Sequence, residues 1–228
     1  MIIGEKIKEW FSLESSSDIT ARLAGRNDIR SALDIGCGAQ SPFTQLRPAV
    51  TTVGLDSDEA SLRTSRERNA HDHYIRANIL KDDVKSLVKA ATGIERFDIV
   101  GLFGVIEHLP KQLGYTFLQR CEELTEKFVV LETPNGFVPQ GAELGNEHNR
   151  HLSGWFIHDF VGLGYTVVGT TGTRYLRGQV AGIKYPYRGV GSLDVVLARL
   201  LRANHNPRHA FNLFAYKDVR AVPPVLVT

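Results

Sequence analysis

The chain has 228 residues, of which 43% are hydrophobic and 23% are charged, and its formal net charge is +2. This composition is typical of one globular domain and excludes global disorder, a collagen-like repeat and a coiled coil. The longest stretch without a charged residue, 160–173, is shorter than the roughly 20 apolar residues of a membrane-spanning helix. Charged residues at positions 5, 6, 8 and 9 argue against a secretory signal, so we expect a cytoplasmic protein.

Positive charge is concentrated towards the C-terminus. Residues 174–228 contain nine Lys or Arg and two acidic residues, whereas residues 1–173 contain 18 basic and 23 acidic residues. Such a region can bind an anionic substrate, a phospholipid surface or nucleic acid, although most basic regions are simply solvated. Cys37 and Cys121 form neither a disulfide framework nor a paired metal motif, so we expect two reduced thiols.

Strand-like and helix-like segments alternate from residue 30 to about 170, which predicts a parallel sheet covered by helices on both faces. The predicted strands are Ser31–Ile35, Thr52–Asp56, His73–Ala77, Phe97–Phe103, Phe128–Glu132, Tyr165–Gly169 and Phe211–Lys217. The predicted helices are Gly4–Phe11, Asp18–Ala24, Pro42–Leu46, Asp58–Asn69, Lys81–Ala91, Lys111–Lys127 and Ser153–Leu163. We therefore expect one domain over 1–228 with an N-terminal helical cap over 1–29.

The 41 residues 170–210 between the last two predicted strands are too many for a hairpin turn. A stripe of apolar residues with helical spacing runs through this insertion at Leu193, Val196, Leu197, Leu200 and Leu201. We expect the stripe to pack on this domain, on a second subunit or on a lipid surface. The insertion is therefore interpreted as a lid or a subunit contact, compatible with a homodimer or with peripheral membrane binding.

A strand that ends in an acidic residue and two glycines is the clearest signal for a ligand site. Residues 33–38 read LDIGCG, and Ser41 then begins a helix with Pro after it. The glycines let the backbone turn tightly and let a ligand approach where a side chain would collide. Asp56 ends the next predicted strand, twenty residues after Gly36, where a carboxylate can accept hydrogen bonds from a ribose diol.

A nicotinamide or flavin dinucleotide fits these residues less well. The third glycine of the dinucleotide fingerprint falls at Ser41, so the fingerprint is incomplete. Asp34 would also repel a pyrophosphate, whereas it would attract a cationic ligand. The residues therefore indicate a ligand that has a ribose and a positive charge.

Over residues 30–217 the chain resembles the class I S-adenosylmethionine-dependent methyltransferases, in particular the branch that acts on small molecules. The similar segments are LDIGCG at 33–38, Asp56, Asn78-Ile79, FDIV at 97–100, VIEHLP at 105–110, LETPNG at 131–136 and EHNRHLS at 147–153. The resemblance implies a Rossmann-like sheet of seven strands in the order 3-2-1-4-5-7-6, mostly parallel, with strand seven antiparallel and helices on both faces.

The resemblance also implies that S-adenosylmethionine is the methyl donor and that S-adenosylhomocysteine is the product. The residues that it places against the cofactor are Asp34, Gly36, Cys37, Gly38, Asp56, Ser57, Asn78, Ile79 and Phe103. Phe103 is equally suited to packing in the core. Asn78 stands where the family usually has Asp near the adenine, and its neutral oxygen accepts a hydrogen bond less strongly than a carboxylate.

A sulfonium methyl is already activated, so the enzyme mainly aligns the acceptor and excludes water. A hydroxyl or ammonium acceptor must still lose a proton, for which histidine is suited. His108, after the fourth strand, is the first candidate base, although capping or packing a turn is an equally common role. His148 and His151 in the long loop 133–153 are the second candidates. We predict no metal site, because no carboxylate or thiolate cluster accompanies these two histidines and His158.

The sequence thus predicts a methyltransferase for a small molecule, anionic or lipid-linked, with oxygen favoured over nitrogen or carbon by its frequency in the family. The alternatives are a protein that binds the cofactor without catalysis, a nicotinamide-dependent oxidoreductase and an RNA-binding module. Nucleic acid is the weaker partner, since methyltransferases of base amines typically carry Asp/Asn-Pro-Pro-aromatic after the fourth strand. This chain has Gly-Val-Ile-Glu there, at 104–107.

Overall fold

The structure is a computed structural model that describes residues 14–142, 149–185 and 187–221. Its seven strands are β1 Ser31–Ile35, β2 Thr51–Asp56, β3 His73–Arg76, β4 Phe97–Phe103, β5 Thr125–Pro134, β6 Thr166–Thr173 and β7 Ala210–Asp218. They form one sheet in the order β3-β2-β1-β4-β5-β7-β6. Strands β1 to β5 are parallel, and β7 runs antiparallel to β5 and β6. The predicted strand order and the Rossmann-like fold class are confirmed.

Within the described residues, six α-helices accompany the sheet, together with short 3-10 turns that include Pro42–Leu46 and Ile106–His108. The α-helices are α1 Ser16–Arg26, α2 Glu59–Glu67, α3 Val84–Thr92, α4 Lys111–Glu123, α5 Ile157–Val161 and α6 Val190–Leu200. Side chains of Ser15, Asp58 and Asp83 accept a backbone N–H three residues on and so fix where α1, α2 and α3 begin. None of these helices has both the length and the apolar content to cross a bilayer. The predicted helix Gly4–Phe11 lies outside the described residues.

The core lies on both faces of the sheet, because successive residues of the central strands point to opposite sides. One face buries Leu33, Val53, Val100 and Val129, and the other buries Ala32, Ile99, Phe128 and Val130. Each such aliphatic or aromatic side chain contributes about 1.5–3 kcal/mol when it is buried. Strands covered on both faces are held rigidly, so the loops at their carboxyl ends have well-defined positions.

The predicted helix Ser153–Leu163 is wrong over its first part, since only Ile157–Val161 is helical. The Trp155 side chain is fully buried, and its Nε1–H donates to Ser153 Oγ at 2.9 Å. The Trp155 carbonyl accepts from Gly136 N–H at 2.7 Å, which pairs this segment with the end of β5. These tertiary contacts outweigh the local helical preference.

The apolar stripe of helix α6 is only partly covered by this domain. Leu193, Val196 and Leu200 are exposed, whereas Asp194 and Ala198 on the opposite side are fully buried. Leu197 and Leu201 of the stripe are half-buried, so the domain covers one edge of the stripe. A second subunit or a lipid surface against the exposed leucines and valine stays a prediction.

The helix is attached instead through a buried carboxylate. Asp194 Oδ1 accepts from Thr173 N–H at 2.8 Å and from Thr173 Oγ1 at 2.7 Å. Arg177 Nε donates to Asp194 Oδ2 at 2.6 Å. A buried carboxylate with three donors is fully satisfied, so it can anchor α6 to the end of β6.

Candidate active site

The carboxyl ends of β1, β2 and β4 open into a cavity of about 420 Å³, here called the first cavity. In the sheet, β2 and β3 lie on one side of β1, and β4 and β5 lie on the other, so the direction of the strand order changes beside β1. Open α/β sheets bind their ligands at such a switch point. The predicted cofactor residues that line the cavity are Gly36, Cys37, Gly38, Asp56, Ser57, Asn78, Ile79 and Phe103. Predicted residues that span 68 positions of the sequence, from Gly36 to Phe103, therefore line one cavity.

The glycine turn after β1 has a backbone that only glycine adopts easily. Gly36 has a φ of 70° and Gly38 a φ of 51°. A Cβ on Gly36 would lie 2.6 Å from Val105 Cγ2, too close for any side chain. The N–H groups of Gly36 and Cys37 both donate to the Leu55 carbonyl, at 2.7 and 3.1 Å. The turn is thus fixed to β2 and exposes backbone to the cavity.

Asp56 holds this turn from the neighbouring strand. Its Oδ2 accepts from Gly38 N–H at 3.0 Å, and its Oδ1 accepts from Asp58 N–H at 2.9 Å. Each carboxylate oxygen has further lone-pair capacity, so Asp56 can also accept from hydroxyl groups in the cavity. One side chain therefore shapes the loop and presents acceptors to a ligand.

Asp34 does not line the cavity, contrary to the expected contact with the cofactor. It lies beneath the glycine turn with 1% of its surface exposed, and its Oδ2 is 3.5 Å from His71 Nε2. Burial raises the pKa of Asp34 to about 7, with a smaller contribution from Asp56. Burial lowers the pKa of His71 to about 4. Both groups of this pair are therefore neutral between about pH 4 and 7.

A second cavity, of about 680 Å³, adjoins the first. Residues that line both cavities are Gln40, Phe103, Gly104 and His108. His108 therefore lies at the junction of the two cavities, at the carboxyl end of the sheet where the sequence placed it. Glu107, Thr133 and His151 line the second cavity.

Glu107, His108 and His151 meet at this junction, and we call them the triad. One ligand atom of each lies within 4.8 Å of the others, and the two imidazole centroids are 4.9 Å apart. His108 Nδ1 is 3.1 Å from the Arg150 carbonyl, and His151 Nδ1 is 2.7 Å from the Val138 carbonyl. A ring nitrogen that contacts a carbonyl carries the proton, so in each neutral imidazole the lone pair is on Nε2.

Glu107 is the member of the triad that sequence reasoning did not select as a site residue. Its Oε2 accepts from Thr133 Oγ1 at 2.9 Å, and burial raises the pKa of its carboxyl to about 7. Its carbonyl accepts from the N–H groups of Leu152 and Ser153, at 2.8 and 3.0 Å. The segment that follows His151 is thereby bonded to the turn after β4. Its position next to His108 was the sequence signal that could have identified Glu107 as a site residue.

The chain matches a known domain over its first four strands and the start of the fifth. Residues 32–127 match the family model described as a methyltransferase domain, and the strand order is that of the same class. These residues form a methyltransferase domain.

Solved structures share the fold of this chain at low sequence identity. A SAM-dependent methyltransferase from Archaeoglobus fulgidus has a TM-score of 0.52 and 14% identity, covering 90% of this chain and 95% of that one. The plantazolicin methyltransferase BpumL, in complex with a triazolic desmethylPZN analog and SAH, has a TM-score of 0.51 and 15% identity, covering 89% and 82%. No curated protein has a sequence that matches this chain. At these identities the likeness concerns the fold.

The other residues that the sequence analysis considered do not belong to the triad. His148 lies outside the described residues. His158 is exposed on α5 and stacks on Phe156, away from the triad. Burial raises the pKa of the Cys37 thiol, so it stays protonated, as expected for a packing residue. Phe103 makes an edge contact with Phe43 at 5.4 Å between ring centroids and also lines both cavities, so it packs in the core while its contact with the cofactor stays a prediction.

Replacing Asp34 by Asn is expected to change how the free energy of unfolding depends on pH. A carboxyl whose pKa is raised by folding binds more protons in the folded state, so its contribution to stability falls as pH rises. For Asp34 this fall extends from the ordinary aspartate pKa of 3.8 to about 7. Relative to the wild type, Asp34→Asn should gain up to about 1.4 kcal/mol per pH unit in this range, as measured by urea unfolding.

Replacing His71 by Leu should have the opposite effect. The folded-state pKa of His71 is lowered from 6.5 to about 4, so its contribution to stability rises with pH between these values. Relative to the wild type, His71→Leu should therefore lose stability as pH rises through this range. Parallel pH profiles for the two variants and the wild type would contradict the assignment of a neutral buried pair.

Proposed function

We propose that the protein uses S-adenosylmethionine to transfer a methyl group to a hydroxyl oxygen of an anionic small molecule. The observation that carries this proposal is the triad at the junction of the two cavities. With the donor in the first cavity and the acceptor in the second, the reacting atoms would meet beside His108. Neutral imidazoles suit the removal of a hydroxyl proton near neutral pH.

The donor is proposed to bind with its ribose hydroxyls on Asp56 and its methionine portion along the glycine turn. Its adenine would lie beside Asn78 and Ile79 at the end of β3. Asn78 Oδ1 accepts from Leu80 N–H at 3.0 Å, so this side chain also shapes the loop. The arrangement leaves the backbone of the turn, rather than bulky side chains, against the donor.

Methyl transfer then requires alignment and one proton transfer. The bond from the methyl carbon to sulfur breaks and leaves its electron pair on sulfur, which becomes the neutral thioether of S-adenosylhomocysteine. A bond forms between the methyl carbon and the acceptor oxygen, and the hydroxyl proton moves to Nε2 of His108. The Nδ1–H bond to the Arg150 carbonyl orients the imidazole for this role.

An anionic acceptor is favoured by a third cavity of about 350 Å³, which shares Val138 and Phe211 with the second. The third cavity is lined by Arg174, Arg177 and Lys184. Cationic side chains beside the acceptor cavity would attract a carboxylate or phosphate group. The hydroxyl would then reach the triad while the anionic group stays on the basic side.

The test combines binding and turnover. Isothermal titration should show saturable binding of S-adenosylhomocysteine and no binding of NAD⁺. Release of S-adenosylhomocysteine is then measured over a panel of hydroxylated carboxylates and phosphates, matched with neutral analogues. Arg174→Gln should raise KM for anionic acceptors by about tenfold, since one charge-assisted hydrogen bond is worth about 1.5 kcal/mol. Arg30→Gln, a change at an exposed residue near the start of β1, is the control.

Turnover with only neutral acceptors would contradict the anionic substrate class. Turnover that is unchanged in His108→Ala and His151→Ala would contradict the role of the triad. Binding of NAD⁺ without binding of S-adenosylhomocysteine would contradict the proposed donor site.

A further inference from the structure

We infer that Glu107, His108 and His151 bind a divalent transition-metal ion at the junction of the two cavities. The inference adds a metal to the proposed function, but the site itself depends only on the geometry of the triad. The sequence predicted no metal, because no carboxylate accompanied His148, His151 and His158. The fold supplies that carboxylate from Glu107, 44 positions before His151.

The distances within the triad are close to those of a metal site. A carboxylate oxygen and two imidazole nitrogens lie within 4.8 Å of one another. Bonds of about 2.0–2.2 Å to a tetrahedral ion would place ligand atoms about 3.4 Å apart. Binding of an ion would therefore draw the three side chains closer together. All three residues also face one or both cavities, so an ion has an entry path.

Each triad residue is oriented by a second hydrogen bond. His108 and His151 have Nδ1 on the carbonyls of Arg150 and Val138. Metal-bound histidine usually donates its other ring N–H to a carbonyl or carboxylate, which fixes the ring and the tautomer. Thr133 Oγ1 donates to one oxygen of Glu107, which orients the carboxylate in the same way.

Charge also favours a cation at this position. The Glu107 side chain is nearly fully buried, and a carboxylate in such a place is costly unless a positive charge accompanies it. A divalent ion would offset that cost and hold Glu107 ionised.

The ligand set selects the class of ion. Two imidazole nitrogens with one carboxylate oxygen suit Zn²⁺, Mn²⁺, Fe²⁺ or Co²⁺, whereas Mg²⁺ and Ca²⁺ prefer sites made of oxygen alone. Three protein ligands leave at least one coordination position for the acceptor. A hydroxyl oxygen bound to the ion would release its proton to solvent water more readily. With the ion bound, His108 would be a ligand, so the proton transfer to His108 Nε2 described above applies to the metal-free site.

The experiment uses the untagged full chain after treatment with a chelator. Co²⁺ is added and followed by its visible absorption, and Zn²⁺ binding is measured by isothermal titration. We expect one ion per chain. His151→Ala and Glu107→Gln should each weaken binding by at least about 100-fold, because even outer-shell changes weaken metal binding by 10–100-fold. His158→Ala removes an exposed histidine outside the triad and should leave binding unchanged.

Thermal melting and S-adenosylhomocysteine affinity are measured on every variant, so that unfolding is not mistaken for loss of a ligand. If His151→Ala does not fold, His151→Gln takes its place. Absence of stoichiometric binding by the wild type, or equal affinity in both triad variants and His158→Ala, would overturn the inference. Methyl transfer by the metal-free protein would also overturn the metal's role while leaving the proposed function intact. Metal binding without any methyl transfer would contradict the proposed function and leave the metal site intact.

Discussion

Replacing Asp56 by Ala is expected to weaken the binding of S-adenosylhomocysteine by at least about 100-fold. The variant removes the acceptor proposed for the ribose and also releases the N–H groups of Gly38 and Asp58. Hydrogen bonds to a charged group are worth about 1.5–3 kcal/mol each, so the loss of two corresponds to about 100-fold or more. Isothermal titration at a temperature where both proteins are folded measures the effect. Asp56→Asn keeps one accepting oxygen, so its affinity for S-adenosylhomocysteine should lie between those of the wild type and Asp56→Ala.

Asp98 provides a matched control. It is a partly buried carboxylate that also accepts two backbone N–H groups, from Arg30 at 2.8 Å and Ser31 at 3.1 Å. It is the second residue of β4, at the opposite, amino edge of the sheet, and it does not line the first cavity. Asp98→Ala should therefore lower stability without changing the affinity for S-adenosylhomocysteine. Equal affinities of Asp56→Ala and the wild type would show that Asp56 does not hold the cofactor.

Replacing Trp155 by Ala is expected to lower the free energy of unfolding by about 3–5 kcal/mol, the usual cost of truncating a buried tryptophan. The side chain is fully buried and stacks on Phe160 at 5.4 Å between ring centroids. Lys111 Nζ lies 3.9 Å from its ring centroid, and Nε1–H donates to Ser153 Oγ. Equilibrium urea unfolding measures the loss. The neighbouring exposed Phe156→Ala should change stability by about 1 kcal/mol or less.

Trp155 also connects stability to the triad. Its Nε1–H is 3.3 Å from the Ile106 carbonyl, so it binds the segment after His151 to the turn that carries Glu107. We expect Trp155→Ala to reduce methyl transfer more than it reduces S-adenosylhomocysteine affinity, because the first cavity does not include Trp155. Gly114→Ala should have a similar effect, since its Cβ would lie 2.3 Å from Trp155 Cζ2. A stability loss below about 1 kcal/mol for Trp155→Ala would contradict this account.

The residues of the proposed donor site were predictable because their signals are local. The glycine turn follows directly from LDIGCG at the end of a strand, and Asp56 from its place at the end of the next strand. In a parallel sheet these ends meet at one edge whatever the details of the loops. Asp34 shows the limit of such reasoning. Its neighbours along the chain reach the cavity, but its own side chain points beneath the turn, and only packing reveals that burial.

The triad and the segment around Trp155 were not predictable in the same way. His151 and Glu107 are distant in sequence and meet because backbone bonds from Leu152 and Ser153 fasten one loop to the other. Local preference favoured a helix from Ser153, but burial of Trp155 and pairing with Gly136 were stronger.

By itself, the sequence determined the order of strands and helices, the glycine turn and the carboxylate of the donor site. These features depend on side-chain periodicity and on contacts between near neighbours in the chain. The tertiary structure decided which histidines approach Glu107, which face of α6 is buried and how strongly the buried acids hold their protons. Those properties depend on long-range packing and on exclusion of water, neither of which is encoded in any one segment.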